Sequence, residues 1–191
     1  MPDYFMRGWR TAAVLLLWTV CAPVHAQAWD VDRLMQQLAG IPEGQVNYTE
    51  RKYSALLSKP AVSSGVLSFH RPDSVEKEMR TPNKERYAIA GDEVVVARNG
   101  AERRYALASQ PALAALAASL RGVLLGDQAL LRRYFKMELQ GDERAWRLAL
   151  EPLDASVARY VTRVSVTGSA GRIQSIDTEE ASGDHSLLQV Q

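Results

Sequence analysis

From Gly65 to Glu179 most of the chain is cut into short stretches of alternating character, each bounded by residues that turn sharply, and this rhythm constrains the fold more than any other feature. Gly65 to His70, Tyr87 to Ala90, Glu93 to Arg98, Arg103 to Ala108, Tyr134 to Gln140, Ala145 to Leu150, Arg159 to Thr167 and Ile173 to Glu179 each read as a strand, because side chains on an extended backbone point alternately to two faces. The period already shifts toward two from Gln45. Ala90-Gly91-Asp92, Asn99-Gly100, Gly141-Asp142-Glu143 and Gly168-Ser169-Ala170-Gly171 supply residues able to take the positive φ that tight antiparallel turns require. Consecutive strands joined in this way pair with one another, so an antiparallel meander is predicted.

Two helical regions interrupt it. Asp30 stands where it can cap a helix whose apolar residues Val31, Leu34, Met35 and Leu38 follow the i, i+3, i+4, i+7 spacing, and Gly40 and Pro42 end it. Gln110 to Arg133, with Pro111 near its start and Leu113, Leu116, Leu120, Leu124, Leu130 and Leu131 along it, reads as two helices divided at Gly126-Asp127. Helices set into a sheet usually cover one of its faces, which makes the chain α+β. Ala112, Ala114, Ala115, Ala117 and Ala118 leave the first of these helices smooth. It packs either as an ordinary core helix or as a lid that moves at low cost.

The amino terminus reads as an export signal. Arg7 and Arg10 precede an apolar stretch from Thr11 to Val20, and Val24-His25-Ala26 places small residues where a signal peptidase needs them, so residues 1–26 are expected to be removed. The apolar stretch is too short to span a bilayer, and no later segment qualifies. Val20 before Cys21 does not suit lipid modification, so the single cysteine leaves with the leader. Residues 27–191 then form one cysteine-free domain, long enough to bury a core without disulfides. Of the 23 basic and 22 acidic side chains, the leader holds Arg7, Arg10 and Asp3, so the remainder is electrically balanced. A balanced surface offers no general attraction to nucleic acid and little to anionic headgroups, leaving shape and apolar contact to hold a ligand.

Enzymatic patterns are missing. His70 and His185 are the only histidines after the leader and lie in no helical HxxxH or HExxH spacing, so neither a metal nor any other cofactor is expected. Asp184-His185-Ser186 holds the letters of a triad, but neighbours along a strand point in different directions and cannot form a relay by adjacency. Gly168-Ser169-Ala170-Gly171 has the spacing of no nucleophile elbow, phosphate loop or dinucleotide fingerprint. Glu50, Glu76, Glu78, Glu179 and Glu180 sit among basic residues and read as a solvated surface.

The order of these elements resembles a known family. A short amphipathic helix is followed by Thr49-Glu50-Arg51-Lys52-Tyr53, by Ser64 to Asp73, and by Thr81-Pro82 before a paired-strand segment with Gly91-Asp92. Gly65, Leu67, Arg71 and Pro72 match the G-x-L-x-x-x-R-P strand of the LolA family, the periplasmic carriers of outer-membrane lipoproteins. Pro111 to Leu125 with Gly126-Asp127, Trp146-Arg147-Leu148, Leu150-Glu151-Pro152 and Gly183-Asp184-His185-Ser186 look like marks of a LolA-related subgroup.

The resemblance implies a strongly curved antiparallel sheet, an incomplete barrel, with helices over its concave apolar face and acyl chains held between them. It implies a monomeric carrier that is not an enzyme, inserts in no membrane, and meets an inner-membrane exporter and an outer-membrane acceptor. Because strand side chains alternate, Leu67 and Phe69 share a face; Val75, Met79, Ile89, Val94, Val96, Leu148 and Val164 are candidate co-liners of the cavity. Leu116, Leu120 and Leu124 lie on one helical face as candidate lid contacts to cargo. Arg71 matches the arginine that latches the lid through backbone carbonyls. Two departures change the expected exporter contact: Val75, Glu76 and Lys77 stand where related carriers place aromatic residues, and the sequence closes soon after Val190 where those carriers have an extension. Members of the subgroup accompany acyltransferases and exporter-like proteins, which widens the cargo from lipoproteins to other acylated lipids. A lipid-sensing regulator of the same superfamily is the alternative, and an acyl-lipid hydrolase or transferase, needing a base beside Ser186, is the third.

Overall fold

The computed structural model describes residues 29–191, and the export leader read at residues 1–26 lies outside them. Helix α1, Val31–Ala39, starts where expected: the Asp30 side chain accepts from the Arg33 backbone N–H at 2.9 Å, and Leu34, Met35 and Leu38 are buried. Strands β1 Glu43–Tyr53, β2 Ala61–His70, β3 Ser74–Thr81, β4 Glu85–Ala90, β5 Glu93–Arg98 and β6 Ala101–Ala106 follow. A 3-10 turn then leads into α2, Pro111–Leu125, and α3, Gln128–Tyr134. Strands β7 Phe135–Asp142 and β8 Ala145–Pro152, the short helix α4 Ala155–Ala158, and strands β9 Val161–Ser169, β10 Arg172–Glu180 and β11 His185–Val190 complete the chain.

All eleven strands form one antiparallel sheet in the order β6-β5-β4-β3-β2-β1-β11-β10-β9-β8-β7. Its connectivity follows from the hairpins. β1 to β6 form one meander, β7 to β11 a second, and antiparallel pairing of β1 with β11 joins them. Edge strands β6 and β7 do not pair, so the sheet is an open, incomplete barrel as the resemblance implies. The chain passes from one free edge to the other through α2 and α3, which places these helices against the concave side.

Strands β3 and β11 go beyond the expected segments, and α4 was not foreseen within the residues around Arg159. On β3 the inward positions are Val75, Lys77 and Met79, so a charged residue interrupts the apolar alternation by which strands are read. The turns behave as their residues predict. Asn99 and Gly100 take φ of 51° and 77° between β5 and β6, the conformation that an Asn-Gly hairpin favours.

Helix α1 closes one end of the curved sheet. The Gln37 amide donates to Glu143 at 2.5 Å in the β7–β8 turn, and Gly126 abuts the α1 backbone: a Cβ there would lie 2.4 Å from Met35 O and Ala39 N. The core runs from this end beneath α2.

Candidate functional site

Strand register carries one face across the whole sheet. Glu50 on β1 stands opposite Ser63 on β2 and Leu188 on β11; Lys77 on β3 stands opposite Leu67 on β2 and Tyr87 on β4. Glu50, Lys77, Tyr87 and Leu188 face α2 across two adjoining cavities. The larger, about 440 Å³, lies between Leu116, Leu120 and Val123 of α2 and the sheet residues Val164, Val166 and Ile176. The smaller, about 320 Å³, lies between Leu113 and Leu116 of the same helix and Met79, Ile89 and Val94. Glu50, Lys77, Tyr87, Leu116 and Leu120 belong to both walls.

Of the residues expected to line a cavity, the structure brings Met79, Ile89, Val94, Leu116, Leu120 and Val164 together on these walls. Leu67, Phe69, Val75, Leu124 and Leu148 are buried in the hydrophobic core and line neither cavity. Phe69 lies across Gly44, where a Cβ would meet its ring at 2.5 Å, toward the end that α1 fills. Val96 shares the concave face but opens on a separate hollow near the sheet edge with Arg103 and Tyr105. The concave face is thus divided between inward residues that pack in the core and those that meet a cavity.

Glu50 departs most from the expected solvated surface. Its side chain is about one-fifth exposed and accepts from Lys77 Nζ at 2.6 Å, from Ser186 Oγ at 2.6 Å and from Ser63 Oγ at 3.4 Å. Burial pushes its carboxyl up, but the Lys77 charge and the hydrogen bonds from Lys77, Ser186 and Ser63 outweigh it and hold the pKa below the ordinary value of 4.5. Lys77 Nζ also lies 5.2 Å from the centre of the Tyr48 ring, in cation–π range. Burial raises the Tyr48 hydroxyl pKa well above its ordinary range, with Glu50 adding to it. Glu180 also belongs to the site, pairing with Lys52 at 2.8 Å on the wall of the larger cavity, whereas Glu76 and Glu78 pair with Arg86 and Arg80 on the outside as expected.

The Asp184-His185-Ser186 run brings no triad together. His185 stacks on Tyr53, ring centres 4.4 Å apart, while Ser186 donates from the concave side to Glu50, so the two adjacent residues serve opposite faces. Among the described residues no group of three or more His, Cys, Asp or Glu side chains is placed to hold a metal ion, and no helix is long and apolar enough to cross a membrane.

Arg71, at the end of β2, reaches the carboxy termini of two helices. Its Nη2 donates to Leu125 O of α2 at 2.8 Å and to Leu38 O of α1 at 3.4 Å, and its Nε donates to Ile41 O at 3.1 Å. Neither helix has a basic residue in its own last turn, so one guanidinium meets the partial negative charge of both. Arg121 Nη1 adds a 2.6 Å bond to Gly91 O in the β4–β5 turn. Both tethers act on the carboxy-terminal half of α2. The cavities run beneath α2 from Leu113 to Val123, and its first turn, opened by Pro111, has no side-chain cap.

Residues 23–189 match the family described as outer membrane lipoprotein carrier protein LolA-like. The chain belongs to this LolA-like family. No curated protein matches it in sequence. Among solved structures it is similar to a LolA superfamily protein from Nitrosomonas europaea, at 14% identity and a TM-score of 0.47, over 86% of this chain and 92% of that one. A putative outer membrane lipoprotein-sorting protein domain from Vibrio parahaemolyticus shares 9% identity with a TM-score of 0.48, over 84% and 89% of the respective chains. Lipoprotein LppX from Mycobacterium tuberculosis shares 12% identity with a TM-score of 0.41, over 84% and 93%.

Proposed function

We propose that this LolA-like protein is a periplasmic carrier that takes the acyl chains of a lipoprotein or another acylated lipid between α2 and the sheet and shuttles them toward the outer membrane. The observation that carries this reading is the pair of largely apolar cavities between the sheet and α2, a helix whose side-chain tethers from Arg71 and Arg121 lie toward its carboxy-terminal end. The leader at residues 1–26 supports export, and membership of the family supports lipid cargo. An inner-membrane exporter loads the carrier and an outer-membrane acceptor unloads it.

The energetics suit a shuttle. Each methylene moved out of water contributes roughly 0.8 kcal/mol, so ten of them give about 8 kcal/mol, near micromolar affinity before the cost of opening. Lifting the amino-terminal half of α2 offsets part of this gain and keeps release accessible. The Ala residues help: Ala114, Ala115, Ala117 and Ala118 are buried but small, so the helix gives up little apolar contact when it moves.

Leu120→Asp tests the site. A carboxylate placed on the shared cavity wall should weaken uptake of a fluorescent fatty-acid probe at least tenfold, while Leu57→Asp, at a position 47% exposed in the β1–β2 loop, should leave uptake unchanged. Equal uptake by both variants and the wild type would place the acyl chains elsewhere.

A further inference from the structure

An ion pair is an unexpected thing to find in the wall of an acyl-binding cavity. Glu50 and Lys77 border both apolar lobes, and the groups around them come from four strands: Glu50 from β1, Ser63 from β2, Lys77 from β3 and Ser186 from β11. A buried pair is not required for stability, since apolar side chains of similar volume often serve as well or better. The pair therefore calls for a use in recognition.

Three features define what it recognises. First, an ammonium has three donors, and Lys77 spends one on Glu50 and rests against the Tyr48 ring, which leaves hydrogens for an acceptor in the cavity it borders. Second, the charges on the larger cavity's wall balance, Glu50 against Lys77 and Glu180 against Lys52, so a ligand group with net charge gains no overall attraction. Third, the pair stands between two apolar lobes, so the polar group that meets it has an apolar chain on either side. A terminal headgroup does not satisfy that geometry, and a plain hydrocarbon leaves the donors unmatched.

Building on the acyl-carrier reading above, we infer that Glu50 and Lys77 form a recognition node for a neutral carbonyl linkage, an ester or amide, inside an acylated ligand whose two chains occupy the two lobes. Lys77 donates to the carbonyl oxygen. Glu50, itself held by Ser186 and Ser63, fixes the ammonium in place.

Competition against the fluorescent fatty-acid probe tests the node with N-octyl octanamide, octyl octanoate, heptadecane and heptadecanoate. The wild-type protein should bind the amide and the ester at least tenfold more tightly than heptadecane. In the double variant Glu50→Met, Lys77→Met the preference over heptadecane should disappear. Should that variant fail to fold, the wild-type ranking alone decides. Wild-type binding of all four ligands without preference, heptadecanoate ahead of amide and ester, or a preference that survives in the double variant would each overturn the node and leave the acyl-carrier reading standing. Failure of the wild type to bind the probe or any competitor would overturn both.

Discussion

Gly126→Val should destabilise the domain by about 3–5 kcal/mol. Gly126 ends α2 in the left-handed conformation, φ 66° and ψ 27°, which a β-branched residue adopts only under strain. Strain is the smaller part. A Cβ at this position meets Met35 O and Ala39 N at 2.4 Å, and both are backbone atoms of α1 that cannot rotate away. The substitution therefore forces α1 from the end of the sheet it closes and exposes Leu34 and Leu38, which are fully buried. Gly100→Ala supplies the comparison: its φ is also positive, at 77°, but nothing lies within 4 Å of the added Cβ, so only the strain of about 1 kcal/mol remains. Urea unfolding of the two variants separates conformational strain from helix packing. A loss at Gly126 no greater than that at Gly100 would show that α1 is not held by this contact.

Arg71→Leu should cost less stability, about 1–2 kcal/mol, and more function. The guanidinium is partly solvated, so water replaces some of what it donates, but Leu125 is buried and its carbonyl loses its charged partner. Removing it frees the carboxy-terminal end of α2 from β2 and α1 together. A shift of 1.4 kcal/mol between closed and open arrangements changes their ratio tenfold. The variant is expected to fold and take up acyl cargo at the normal rate, yet to deliver it to acceptor vesicles at least tenfold more slowly, because closure of the helix no longer helps expel the chains. Arg71→Lys should recover little, since an ammonium cannot present the planar fork that reaches carbonyls of two helices at once. Delivery by Arg71→Leu at the wild-type rate would reduce Arg71 to a structural tie.

The meander was legible in the sequence because turn residues and alternation coincide: Asn99-Gly100 and Gly141 stand at the turns they suggest, and the segments around Val94, Leu148 and Val164 face inward as their parity requires. β3 was not legible, for the same reason that it matters. Lys77 on its inner face breaks the apolar pattern, and only the register against Leu67 and Tyr87 reveals that the lysine points into the site. Glu50 escaped likewise, since a glutamate among Arg51, Lys52 and Glu43 carries the composition of a surface. The signal available was parity, as Tyr48, Glu50 and Lys52 alternate with the outward residues of β1. Leu67 and Phe69 show the opposite limit. Alternation identifies their shared face, but whether that face meets a cavity or packed neighbours is a tertiary outcome that no local pattern encodes.

Binding of acyl chains in the space beneath α2 is the central claim, and lipid extraction tests it most directly. Full-length protein expressed with its leader and purified from the periplasm without detergent would be extracted with organic solvent and the extract analysed by mass spectrometry, alongside Leu116→Asp prepared identically. Acylated lipid is expected in near-stoichiometric amount with the wild-type protein and is expected to be lost from the variant, whose new carboxylate enters both cavity walls. Wild-type protein that emerges free of lipid, or a variant that retains the same lipid in the same amount, would contradict that claim.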